Sequence, residues 1–124
     1  MTRSKIFVVT AFLFLSSLSF AQQDQSFSIT MEQFKEKLKN DKELIVLDVR
    51  TPEELNGPLG KIDSAINIPI QVLEERIDEL KRFKDREIIV ICRTQNRSAV
   101  AVTILQKNGY KAKNVLGGMM EYRQ

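Results

Sequence analysis

Two short runs, Glu43–Val49 "ELIVLDV" and Glu87–Cys92 "EIIVIC", limit the folds open to this chain. Both are almost continuously apolar and rich in β-branched residues, with no polar face left for water. Strands of this kind are buried on both sides and belong to parallel sheets covered by helices. Segments of helical period lie between and around them. In "TMEQFKEKLKN", Thr30 and Gln33 fit a capping box, and Met31, Phe34 and Leu38 share a face. "QVLEERIDELKRF" places Val72, Leu73, Ile77 and Leu80 at helical spacing, and "RSAVAVTILQKNGY" reads as a helix with Gly109 at its C-terminal end. "AINIPI" and "KNVL" supply short strands, and "RTPEELNGPLGKIDS" is a Pro- and Gly-punctuated loop with room for one helical turn at Pro52–Leu55. Gly117 and Gly118 suit a tight turn before a final helical turn. The alternation implies an α/β fold: a central, mostly parallel sheet with helices on both faces.

The first 21 residues read differently from the rest. Arg3 and Lys5 precede an apolar stretch from Ile6 to Leu15, followed by small residues ending in "SFA". This is the pattern of a secretory signal peptide, with cleavage expected after Ala21 and an uncleaved anchor as the alternative. Gln22–Ser28 is a polar lead-in, and residues 29–124 form the one domain. An exported location follows, the periplasm if the source is Gram-negative.

The 124-residue chain has a formal charge of +3. Without Arg3 and Lys5, 17 basic residues face 16 acidic ones, so the charge falls to about +1. That balance gives no case for nucleic acid or an anionic membrane as partner. The chain has no histidine and one cysteine. Ser-His-Asp and Cys-His catalysis are therefore excluded, as are His-containing and Cys-cluster metal sites and any internal disulfide. No metal and no cofactor are expected, and nothing in the sequence calls for more than a monomer. A lone cysteine in an exported chain marks a reactive thiol or a site of intermolecular pairing.

That cysteine, Cys92, ends a buried strand, and "CRTQNRS" then leads into a helix beginning near Arg97 or Ser98. Ligands of open parallel sheets bind beyond such strand ends. Inward-pointing amides of the loop and of the first helical turn would form a nest of N–H donors, with the helix dipole adding positive potential. Arg93 and Arg97 add charge of the same sign. These features favour thiolate over thiol and give a nucleophile that needs no histidine base. The plainer reading, a small buried hydrophobe at a strand end, is outweighed by that setting. Ser98 has a simpler role available, as a helix cap.

"LDVRTPEEL", "AINIPI", "VICRTQNRSAVAV" and "VLGGM", in this order, resemble a single-domain rhodanese, and the resemblance covers nearly all of the chain after Ala21. It implies a rhodanese-like α/β fold and a cysteine, Cys92, that carries sulfur as a persulfide. It also implies a catalytic loop from Cys92 to Arg97, in which the amides of Arg93, Thr94, Gln95, Asn96 and Arg97 cradle the transferred sulfur. The implied donor is a small sulfur-containing anion such as thiosulfate, and the implied acceptor is cyanide, a thiol or a protein.

Three positions depart from the family pattern. Gln95 stands where glycine is common, and Lys61 and Ser64 stand at positions often occupied by His and Gly. The glycine departure raises the question of a differently shaped loop. Lys61 has two readings, a cation attracting anions to the site and a solvated surface lysine; the second is favoured. Asp48 could orient Arg97, but a structural role is favoured, with Arg50 paired to Glu53 or Glu54. The acidic run Glu74, Glu75, Asp78 and Glu79 reads as a solvated helix face with pairs such as Asp78–Arg82.

Other classes remain on the table. Phosphatases and arsenate reductases use Cys-x5-Arg loops, one residue longer than the Cys92–Arg97 spacing. A non-catalytic rhodanese-like module typically lacks the cysteine. A persulfide carrier or thiol redox partner would use the same thiol toward another protein.

Overall fold

The computed structural model describes residues 27–124. The expected leader (residues 1–21) and most of the expected lead-in lie outside the described residues. The lead-in's last residue, Ser28, is instead part of the first strand.

The elements alternate as expected. They are β1 (Ser28–Ile29), α1 (Met31–Asn40), β2 (Ile45–Asp48), α2 (Pro52–Leu55), β3 (Ile66–Asn67), α3 (Leu73–Arg76), β4 (Glu87–Ile91), α4 (Asn96–Lys107), β5 (Lys111–Val115) and α5 (Gly118–Tyr122). The five strands form one sheet in the order β1-β5-β4-β2-β3, with every pairing parallel. Ile45, Leu47, Ile88 and Val90 project to one face, where Leu73, Leu80, Ala101, Val102 and Leu105 cover them. Val46, Ile89 and Ile91 project to the other, against Met31, Phe34 and Met119. This two-sided burial is what the unbroken apolar runs require. No helix among the described residues is long and apolar enough to cross a membrane.

Local signals act as their chemistry predicts. Thr30 and Gln33 close the capping box reciprocally at 3.0 and 3.1 Å. A second box joins Thr51 and Glu54 around Pro52, and so the four-residue α2 forms.

The segment after Pro69 departs from a regular α-helix. It runs as a 3-10 turn (Ile70–Val72), the single α turn of α3, and a second 3-10 stretch (Ile77–Phe83). Ile77, Leu80 and Phe83 recur every third residue and all pack on the core. That repeat matches the three residues per turn of a 3-10 helix, so burying all three favours the tighter winding over an α-helix. The same winding replaces the expected Asp78–Arg82 pair with Arg76–Glu79, three residues apart at 2.7 Å.

The register brings the strand ends level. Asp48, at the end of β2, lies beside Ile91, the last residue of β4, and Val90 lies beside Asn114 of β5. Cys92, Arg50 and the Gly117–Gly118 turn therefore emerge along one edge of the sheet.

Candidate active site

Cys92 is 1% exposed and sits where β4 gives way to the loop. Arg93, Thr94, Gln95 and Asn96 cross the opening as exposed residues, and α4 begins at Asn96. Among the described residues, the amides of Arg93 to Ser98 donate to no protein acceptor. The first of these are loop amides, and the rest belong to the opening turn of α4, whose N–H groups have no partner within the helix.

The carbonyls of the loop turn the other way. Cys92 O accepts from Met119 N and Arg93 O from Met120 N, both at 2.9 Å, in the first turn of α5. The backbone of Gly118 lies directly under them. A Cβ there would stand 2.2 Å from Thr94 O and 2.6 Å from both Arg93 O and Cys92 O. A trans peptide holds C=O and N–H antiparallel. The Cys92 and Arg93 carbonyls bonded to α5 therefore turn the amides of Arg93 and Thr94 away from α5. Gly117 and Gly118 do make the expected turn, with φ of 84° and 55°. The larger contribution is that of Gly118, whose close approach to the loop carbonyls a side chain would block.

Gln95 causes no strain. Its φ is −161°, an extended value open to any residue, and no described non-glycine residue has positive φ. Its side chain does not line the opening but accepts from Gly117 N at 3.1 Å, a second tie between loop and turn. Ser98 is not a helix cap: Gln95 holds the N-cap position, without a side-chain bond. Ser98 is instead fully buried, with its Oγ 3.1 Å from Cys92 Sγ and 2.6 Å from Asn114 Oδ1.

The ion pairs differ from the sequence expectation. Asp48 does not orient Arg97; it binds Arg50, through Nε at 3.0 Å and Nη2 at 2.7 Å. Arg50 in turn does not pair with the carboxylate of Glu53 or Glu54. It is 1% exposed and donates to Gly60 O at 2.9 Å, while Asn67 Nδ2 clasps the carbonyls of Asp48 and Arg50. Two charges so buried must be paired where they stand, and Asp48 is within reach as β2 ends. Glu54 takes Arg97 instead. The Arg97 hydrogen bond holds the Glu54 carboxyl at about 2, against the opposing effect of burial and with help from Thr51. Arg97 is correspondingly raised, chiefly by the Glu54 hydrogen bond, with smaller Coulomb contributions from Cys92 and Asp48. Arg93 is exposed and, among the described residues, without an ionic partner. Lys61 and Ser64 are exposed surface residues, and Lys61 contributes a backbone carbonyl to Arg123.

The sequence reading gave Glu54 to Arg50 and Gly118 to a turn alone, and it did not single out Asn114. Each was visible as a residue, but none announces its partner by spacing.

The family model for the rhodanese-like domain matches residues 30–124. The chain is 37% identical over 94 residues to the "Putative sulfurtransferase YtwF" of Bacillus subtilis (strain 168), covering 76% of this chain and 87% of that protein. It is 36% identical over 95 residues to the "Putative sulfur carrier protein YrkF" of the same organism, covering 76% of this chain but 49% of that one. Among solved structures, a rhodanese-like domain protein from Staphylococcus aureus superposes with a TM-score of 0.67 at 37% identity, over 77% of this chain and 90% of that one. With its parallel sheet, strand-end cysteine and amide-lined loop, this chain belongs to the rhodanese-like domain family.

Proposed function

We propose that this chain is a sulfurtransferase that carries sulfane sulfur on Cys92, taking it from thiosulfate or a similar small sulfur anion. The observation that carries this reading is the outward lock of the Cys92 and Arg93 carbonyls on α5. It leaves a ring of amides on the concave side of the loop, where negative charge on sulfur would be stabilised by fixed dipoles. The Cys92 thiolate attacks the outer sulfur of thiosulfate; the S–S bond of the donor breaks and sulfite leaves with the electron pair. The resulting persulfide rests in the amide ring. An acceptor nucleophile, a thiol or cyanide, then attacks the terminal sulfur and the Cys92 thiolate departs. Such a two-step covalent transfer gives ping-pong kinetics. No metal or cofactor enters these steps.

The geometry weighs against phosphatase chemistry. A phosphatase-like arginine must offer uncompensated positive charge to an oxyanion, whereas the Arg97 charge is already offset by the Glu54 carboxylate paired with it.

A second reading, transfer of the persulfide to a protein acceptor, is favoured by two exposed apolar residues. Leu116 and Met120 flank the turn that holds the loop. The similarity to a protein named as a sulfur carrier is in keeping with it. We further propose export with cleavage after Ala21, to the periplasm in a Gram-negative source, and action as a monomer.

Intact-mass analysis after incubation with thiosulfate, then cyanide, tests the chemistry. A gain of one sulfur atom that cyanide removes, absent in Cys92→Ala, is the expected result. No gain while Cys92 remains alkylatable would overturn thiosulfate as donor. Edman sequencing of the exported form tests the cleavage, and sedimentation the monomer.

A further inference from the structure

Behind the candidate nucleophile lies a buried chain of polar groups, Cys92–Ser98–Asn114–Gln95, in which Ser98 is fully buried and Asn114 nearly so. Its directions can be read end to end. The Gln95 carbonyl can only accept, so the Asn114 amide must present Nδ2 to it, at 3.1 Å. That fixes Asn114 Oδ1 toward Ser98, whose hydroxyl donates to it at 2.6 Å. A hydroxyl has one proton. With that proton committed to Asn114, the 3.1 Å contact between Cys92 Sγ and Ser98 Oγ requires the thiol S–H to be the donor. The arrangement suits the neutral thiol.

The thiolate reverses the demand. When the S–H bond breaks, the proton passes to a base in solution and the electron pair stays on sulfur. Sulfur then accepts only, and among the described residues Ser98 is the one side-chain donor bonded to it. To serve the thiolate, the Ser98 hydroxyl must turn away from Asn114 and give up a short O–H···O bond.

We propose that Asn114 is a positioning residue for the Cys92 nucleophile: acting through Ser98, it competes with the thiolate for the one side-chain proton that the described residues offer to sulfur. The inference rests on Cys92 being the nucleophile of the proposed reaction, but its test requires no sulfur donor.

The test is the pH profile of Cys92 alkylation by iodoacetamide in the purified chain, where Cys92 is the single thiol. Below the midpoint, Asn114→Ala is expected to react about fivefold faster, the worth of one freed hydrogen bond of typical strength. Its midpoint moves to lower pH. Ser98→Ala removes the donor and moves the midpoint up. Adding Asn114→Ala to Ser98→Ala has no further effect on the midpoint, because the coupling runs through the missing hydroxyl. Ser98→Thr, which keeps the hydroxyl, retains the parent midpoint.

The charged groups near Cys92 are Arg93 on the loop, Arg97 with its partner Glu54, and the Asp48–Arg50 pair beyond the end of β2. All are the same in every variant. Loss of the Gln95 tie could open the loop, but greater access raises the plateau rate and leaves the midpoint in place. If Asn114→Ala does not fold, Asn114→Val offers the same deletion in a side chain suited to a strand. A midpoint that stays put or rises in the Asn114 variants overturns the proposal, as does an equal fall with and without Ser98. Failure of the thiosulfate reaction would leave these profiles unchanged.

Discussion

Arg97 and Glu54 meet fork to fork, Nη1 to Oε1 at 2.6 Å and Nη2 to Oε2 at 2.8 Å, across 43 residues of sequence. The pair ties the first turn of the helix behind Cys92 to the short α2 that follows β2. Glu54 also closes the Thr51 capping box, so one carboxylate orders two elements. Glu54→Gln can keep that cap but loses the charged fork, whereas Glu54→Ala loses the fork and the side-chain half of the capping box. We expect Glu54→Gln to lower stability by about 1 kcal/mol, in the range of a partly exposed ion pair. Glu54→Ala should cost about 1 kcal/mol more for the cap. Urea unfolding of the two variants measures both.

The same pair makes stability depend on acid. The Glu54 carboxyl lies at about 2 in the folded chain, against 4.5 as its ordinary value. A carboxylate held lower when folded contributes stability that is full above its unfolded value and fades as pH falls toward its folded one. The contribution of Glu54 should therefore be constant above about pH 4.5 and decline between there and about pH 2. Over that window the stability gap between the parent chain and Glu54→Gln should close. A gap that stays constant in chemical denaturation at descending pH would remove the pair from the account.

Gly118 is held in place by a steric argument of two parts. Its φ of 55° disfavours a side chain, and a Cβ would meet three loop carbonyls at 2.2 to 2.6 Å. Gly109 has a comparable φ of 84°, but its Cβ would meet only the end of Lys84, at 3.9 Å. Gly109→Ala should cost about 1 kcal/mol, as a backbone penalty alone. Gly118→Ala should cost at least 1–3 kcal/mol and displace the loop as well. Comparing urea midpoints and Cys92 alkylation rates in the two variants separates conformational strain from the close approach. Only the Gly118 variant should change the alkylation rate.

Asp48 and Arg50 form the most deeply buried ion pair among the described residues. Asp48→Ala would leave the Arg50 guanidinium buried with only carbonyls for company. The expected loss is about 3–5 kcal/mol, the usual penalty for stranding one member of such a pair. Replacing both by apolar residues should cost less than removing Asp48 alone. A double-mutant cycle read by urea unfolding checks the inequality.

The layers follow from short-range pattern along the chain. Runs such as "EIIVIC" have nowhere to go but a sheet buried on both faces, and "TMEQ" specifies a helix start through bonds reaching only three residues. The same pattern places Cys92 at the end of a strand ahead of a helix, because strand, loop and helix are contiguous there. The side-chain partners, by contrast, depend on how the strands align. Arg97 has no acid within nine residues of it in sequence, and the level ends of β2 and β4 bring Glu54 to it rather than Asp48. Asn114 reaches Ser98 because β5 lies against β4, and Gly118 reaches the loop because α5 folds back beneath it. Periodicity and capping are short-range and can be read along the chain. Choosing among chemically equivalent partners depends on distances in space, which exist only once the strands are in register.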